Sequence, residues 1–190
     1  MGKDSPQDKI KMAKLNLGCG EDIRNGYVNL DYVKKEGVDK VHNLNKVPYP
    51  FKDRYFDEIY ASHVLEHLDV EWFDLIKELD RILKKGGRLI VKVPHFTAAL
   101  AFIENHRRFF RYRSFESFDE QDTMHALDQK EYYNLDIVYR KIRFNKWPLF
   151  YNFFIEPLVN LSKATALLYE NTFLRALFPA EELVFILRKK

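Results

Sequence analysis

The sequence predicts an α/β fold: a Rossmann-like, seven-stranded, mostly parallel sheet with an antiparallel C-terminal strand, and helices on both faces. Three observations carry this expectation. Short apolar runs end in glycine or a polar residue, one clearly amphipathic stretch separates two of them, and two late segments are suited to closing strands. At 190 residues the chain is long enough to bury one sizeable core.

Taken in order, Lys14 to Leu17 is a short strand that stops at the turn Gly18-Cys19-Gly20. Tyr27 to Tyr32 is a second strand, with Asp31 at its end, and Val38 to Leu44 a third. Pro48 and Pro50 make Lys46 to Tyr55 a loop. Phe56 to Val64 is apolar enough to be a strand buried on both sides. Asp69 is a suitable cap for a helix reaching about Lys84, with Phe73, Ile76, Leu79 and Leu83 on one stripe and Gly86-Gly87 as its stop. Arg88 to Val93 follows as a strand closed by Pro94.

Beyond Pro94 the pattern changes. His95 to Tyr133 mixes aromatics, arginines and acids without a clean period, and reads as short helices and loops over one edge. Leu135 to Phe144 and Leu183 to Leu187 are the closing strands. Between them Phe154, Leu158, Leu161 and Leu168 fall near one face of a helix, which makes Trp147 to Phe178 a helical cover for the sheet.

Composition narrows the function. A net charge of +3 is too small to argue for nucleic acid by itself. The single cysteine, Cys19, excludes an internal disulfide and suits a reducing, cytoplasmic setting. No stretch approaches the roughly 18 uncharged residues of a membrane span, because Glu156, Lys163, Glu170 and Arg175 interrupt the most apolar segment. Met1 to Lys14 is polar and has no secretory h-region. Sixteen Phe and eleven Tyr call for a thick core, an apolar groove, or both.

Open α/β sheets bind ligands at the carboxyl ends of their strands. Gly18 and Gly20 leave room against bare backbone, Asp31 offers a carboxylate to the two hydroxyls of a ribose, and Asn43 with Leu44 suits a flat purine. Ser62 and His63 close the fourth strand. A dinucleotide site is disfavoured, because the third glycine of Gly-x-Gly-x-x-Gly would fall on Ile23.

Leu15-Asn16-Leu17-Gly18-Cys19-Gly20, Asn29-Leu30-Asp31, the run from Phe56 to Leu68, and Arg81-Ile82-Leu83-Lys84-Lys85-Gly86-Gly87-Arg88-Leu89 together resemble the type 11 branch of the class I S-adenosylmethionine-dependent methyltransferases. The resemblance implies one methyltransferase domain over residues 1–190, with a cofactor-binding core at 14–95 and acceptor-side or cover segments at 96–134 and 147–178. It also implies S-adenosylmethionine as cofactor and S-adenosylhomocysteine as product. Leu17, Gly18, Cys19 and Gly20 would border the methionine moiety, Asp31 the ribose, Asn43 and Leu44 the adenine, and Ser62 and His63 the remaining wall. Two departures stand out: Asn16 replaces the usual acid, and Asp22 the usual third glycine. Asp31 also lies only 13 positions after Gly18, which leaves little room for a helix between the first two strands.

On the acceptor side His67 and His95 are the candidate bases, each following a strand. His106 to Arg113 alternates basic and aromatic residues, which makes Arg108 and Arg111 candidates for an anionic acceptor; pairing with nearby acids is the equal alternative. His95, His106 and His125 match no metal-ligand spacing, so no metal is expected. The favoured function is methyl transfer to a small-molecule acceptor, anionic or apolar, such as a sugar or lipid-linked intermediate. Peripheral membrane contact is open under this reading. RNA methylation and a noncatalytic cofactor-binding module are the alternatives.

Overall fold

The computed structural model describes residues 12–116, 134–147 and 149–190, and seven strands run through them. β1 is Lys14–Leu17, β2 Val28–Asp31, β3 Lys40–Val41 and β4 Phe56–Ser62. Helix α1, Trp72–Ile82, leads directly into β5, Leu83–Pro94. β6 is Leu135–Arg143, helices α2, α3 and α4 are Asn152–Val159, Lys163–Asn171 and Leu174–Leu177, and β7 is Glu182–Lys189. The sheet order is β3-β2-β1-β4-β5-β7-β6, and β7 runs antiparallel to both of its neighbours. The predicted seven-stranded sheet with its antiparallel closing strand is the observed one.

Register explains where the core lies. Leu17, Ala61, Val91 and Phe185 form one cross-strand row, and Leu15, Ile59, Leu89 and Leu187 the next. All eight are fully buried. The opposite face carries Asn16, Tyr60, Ile90 and Ile186 in the corresponding row, and Glu58, Arg88 and Arg188 beside it. α1 packs on the apolar face, where buried Lys189 donates to the Asp80 carbonyl at 2.5 Å. α3 does the same through Tyr169, whose ring centroid lies 5.3 Å from that of Phe144. The helices expected on the second face are not found among the described residues. Arg24 covers part of it instead, 3.6 Å from the centre of the Tyr60 ring. The connection from Leu17 to Val28 is too short to hold a helix and its two turns.

Three element boundaries differ from expectation. β3 is two exposed residues rather than seven, an edge piece of the length that discourages further pairing. α1 starts after Glu71, and Asp69 instead donates its N–H to Asn45 Oδ1 at 2.8 Å. Gly86-Gly87 does not stop the helix. The chain is already extended at Leu83, and Gly86 (φ 76°) lies in the irregular stretch where pairing to β4 shifts register, between Phe56 and Glu58.

The largest correction concerns the helical cover. Instead of one helix with an apolar inner stripe there are three short ones, and Phe154, Leu158, Leu161 and Leu168 are all exposed. The inward face of α2 is polar because it completes the backbone of β6. Asn160, just after α2, accepts from the Ile142 N–H and donates to the Ile142 carbonyl, and Glu156 accepts from the Phe144 N–H. Buried backbone groups must be satisfied, and here that requirement outranks hydrophobic periodicity. The aromatics are left outside.

Candidate active site

The loops after β1, β2 and β4, together with residues 105–107, enclose a cleft of about 550 Å³. Gly18, Asp31, Asn43, Leu44, His63 and His67, all singled out from the sequence, line it. Gly18 turns the chain at φ 61°, and a Cβ there would come within 2.3 Å of Val64 Cγ2. Only glycine fits that close approach.

Asp31 is buried at the end of β2, and its carboxylate already accepts from two backbone donors. Gly20 N–H reaches Oδ2 at 2.8 Å and Val33 N–H reaches Oδ1 at 3.0 Å. Oδ2 also accepts from the Cys19 thiol at 4.0 Å, while Oδ1 keeps a lone pair, so the group can fix the glycine turn and still accept from a ligand. The two departures in the first motif now have a structural explanation. Buried Asn16 donates to the Asp22 carbonyl and to Asn29 Oδ1, and so holds the shortened loop against β2. Leu17 and Cys19 are buried and lie behind the cleft wall, and Ser62 and Gly20 are not among its lining residues. The side of Gly20 where a Cβ would project is open, with nothing within 4 Å.

At the acceptor end the backbone of His63 adopts φ 52°, uncommon for a non-glycine residue. Its ring bridges Glu182 at 3.0 Å and Glu66 at 3.3 Å, and these two carboxylates raise its pKa to about 9. It is therefore a cation at neutral pH and no base. His67 borders the cleft, and its buried Nδ1 has no hydrogen-bond partner. The ring of His106 stands edge-on to it, centroids 4.5 Å apart.

A buried acid at a strand end, a glycine turn with an open side and an aliphatic wall suit a nucleoside carrying an amino-acid tail. Residues 19–91 match the model of a family described as a methyltransferase domain. The fold agrees with that match. Over 94% of this chain and 86% of the other, it superposes with TM-score 0.60 and 16% identity on a SAM-dependent methyltransferase from Archaeoglobus fulgidus. An S-adenosylmethionine-dependent methyltransferase from Mesorhizobium loti gives TM-score 0.54 and 13% identity, covering 94% and 91%. The same TM-score and identity relate it to a complex of the Haloferax volcanii Trm112 methyltransferase activator with a methyltransferase, covering 94% and 83%. No curated protein matched the sequence. Motifs, family match and fold are thus all similar to those of S-adenosylmethionine-dependent methyltransferases.

The fold does not bring the remaining predicted residues to the cleft. His95 is fully buried, with Nε2 2.9 Å from Glu170 and Nδ1 2.7 Å from Thr97, so both ring nitrogens are engaged away from the site. Its place is structural. Arg108 is spent on the carbonyls of Leu65, Leu68 and Val70, clamping the loop after β4. Arg111 borders a separate cavity with Phe96, Arg113 and Arg175. The residue facing the cleft is its neighbour Arg107, 3.0 Å from Asp69. The sequence also gives no reason to place Glu66 beside His106. Nothing in their spacing marks them, because they meet only where the 105–108 loop folds back: the N–H groups of Arg107 and Arg108 donate to the Glu66 carbonyl.

Proposed function

We propose that the protein is an S-adenosylmethionine-dependent methyltransferase that acts on a small apolar or lipid-linked acceptor. The observation that carries this reading is the apolar surface beside and beyond the cleft. On the loop that supplies Asn105 and Arg107, the side chains of Leu100, Phe102, Ile103 and Phe109 are exposed. The exposure continues along α2 to α4 with Phe154 and Leu161 about three-quarters accessible. Patches of this kind mark a binding surface rather than a water-facing one.

Charge favours lipid over protein as the cover. Between residues 144 and 180 the only acids are Glu156 and Glu170, and both are buried. The exposed cations of α3 and α4 are Lys163, which is paired with buried Glu116, and Arg175, which donates to the Glu170 carbonyl. Apolar side chains with cations alone match an anionic interface. When bound, S-adenosylmethionine supplies an electrophilic methyl group. The chain's own work is to orient it from Gly18, Asp31, Asn43 and Leu44, and to hold the acceptor on the opposite side near His67. RNA is disfavoured because Arg108, half of the supposed phosphate pair, is committed to backbone carbonyls.

Methyl transfer from labelled cofactor to a total lipid fraction, beside total RNA and a soluble sugar fraction, tests the acceptor class. Label in the lipid fraction supports the reading, and label confined to RNA overturns it. Pelleting with vesicles of phosphatidylglycerol and phosphatidylcholine tests the surface. Binding should require the anionic lipid and fall at least tenfold in Phe154→Ser/Leu161→Ser. Failure to pellet would leave a protein cover, of the sort seen in the Haloferax volcanii complex, as the occupant.

A further inference from the structure

Glu66 is the least explained polar group in the molecule. It is 1% exposed, and neither carboxylate oxygen has a hydrogen-bond partner; His63 approaches Oε1 at 3.3 Å without hydrogen-bond geometry. With His63 as its one ionic neighbour and no hydrogen bond, this buried carboxylate keeps acceptor capacity on both oxygens, the state in which such groups bind a further cation. Two further donor atoms stand beside it. Ligand atoms of Glu66, His67 and His106 all lie within 4.8 Å of one another.

We infer that Glu66, His67 and His106 form a site for a divalent transition-metal ion, with Zn²⁺ the best match. Two imidazoles and one carboxylate are a donor set that Zn²⁺ takes in sites keeping an open position, whereas Mg²⁺ and Ca²⁺ favour oxygen. The supporting contacts have the form such sites need. His106 Nδ1 is 3.2 Å from the Ala101 carbonyl, which can only accept, so the proton is fixed there and Nε2 keeps its lone pair. The His67 Nδ1 lone pair is unclaimed by the protein. His63 steadies the carboxylate from its far side. The three ligands come from a single turn after β4 and the loop that is tied to it through the Glu66 carbonyl, so the pair of segments is already held together.

The site adjoins the cleft, since His67 belongs to both. Coordination positions left open by the protein would face the acceptor. His67 then meets the acceptor through the ion, which selects one with an oxygen ligand, a hydroxyl or carboxylate, over a purely apolar molecule. This last step rests on the methyltransferase reading, but the ion site itself does not.

The test uses the full chain without an affinity tag, stripped with chelator and then titrated with Zn²⁺ and with Co²⁺ as a spectroscopic probe. One ion per chain should bind at micromolar or tighter affinity. Co²⁺ should develop visible bands of low-coordinate nitrogen and oxygen ligation. His106→Ala, at a half-buried loop position, should weaken the ion at least tenfold, and Glu66→Gln should do the same. S-adenosylhomocysteine affinity, measured on the same samples, should stay within about twofold in His106→Ala, which also shows that the variant folds. No uptake by the stripped wild type, or undiminished affinity in His106→Ala, overturns the site. If S-adenosylhomocysteine still binds in that case, the ion site alone falls and the methyltransferase reading stands. If the wild type takes up the ion but does not bind S-adenosylhomocysteine, the cofactor cleft falls and the ion site stands.

Discussion

The two halves of the molecule weight buried polarity differently. From β1 to β5 short buried side chains, Asn16, Asn29 and Asp31, stitch turns to strand ends, beside the buried Glu58, Glu66 and Glu78. From residue 95 onward three buried glutamates are each a hub for distant segments. Glu116 gathers Arg113, Arg140 and Lys163; Glu156 gathers Lys141, Lys146 and the Phe144 N–H; Glu170 gathers His95 and the Tyr112 N–H. Among the described residues the apolar side chains more than 70% exposed are Trp147, Phe154, Leu161 and Phe173 in the second half and Tyr32 in the first.

The hubs should fail hardest. Glu170→Ala strands a buried histidine and a buried N–H, and should destabilise the protein by about 3–5 kcal/mol, measured by urea unfolding. A loss under about 1 kcal/mol would mean that the second half does not depend on its hubs.

Asp31 comes next. With two backbone donors orphaned, Asp31→Ala should cost the empty protein about 2–4 kcal/mol and weaken S-adenosylhomocysteine at least tenfold. Unchanged melting of the empty variant would make the carboxylate a pure ligand group and sharpen the contrast with Glu170.

Glu116→Gln should cost about 2–3 kcal/mol at neutral pH, less than a fully buried pair because Arg113 and Lys163 are partly exposed. Burial pushes the Glu116 carboxyl up, but hydrogen bonds from Arg113, Lys163 and Arg140 outweigh it and hold the pKa below the ordinary glutamate value. The stability it contributes is therefore present above the unfolded-state value of about 4.3 and is lost as pH falls through the lower folded value. The gap between wild type and variant should close only on acidification below about 4. A gap independent of pH would assign the loss to packing.

The smallest effect on stability is expected at the surface. Phe154→Ser/Leu161→Ser should change unfolding free energy by no more than about 0.5 kcal/mol, because neither side chain is packed. A loss above about 2 kcal/mol would place those residues in a core, and the contrast between the two halves would break.

These contrasts also explain what could be read from the sequence. Strand ends were legible because Leu17-Gly18, Asp31 and His63 are local signals, each set by the residues beside it. The cleft could therefore be assembled from motifs in one third of the chain. The helical cover was misjudged because periodicity records where apolar side chains fall, and says nothing about which face the backbone of β6 needs. His95 and Arg108 looked chemical in the chain, and only tertiary contacts show that Glu170 and three carbonyls occupy them. Of the stretch 96–134, residues 117–133 lie outside the described residues, His125 among them.

The place of β7 has a consequence in time. It follows β6 in the chain yet lies between β5 and β6, so β6 has no strand to pair with until β7 has been made. Residues 144–181 emerge in between, which at roughly 5–20 residues per second takes about 2–8 s. For that interval an unpaired strand and the most apolar surface of the protein are displayed together. The ribosome thus delivers the pieces in an order the sheet cannot use, and one late strand ends the exposure of β6.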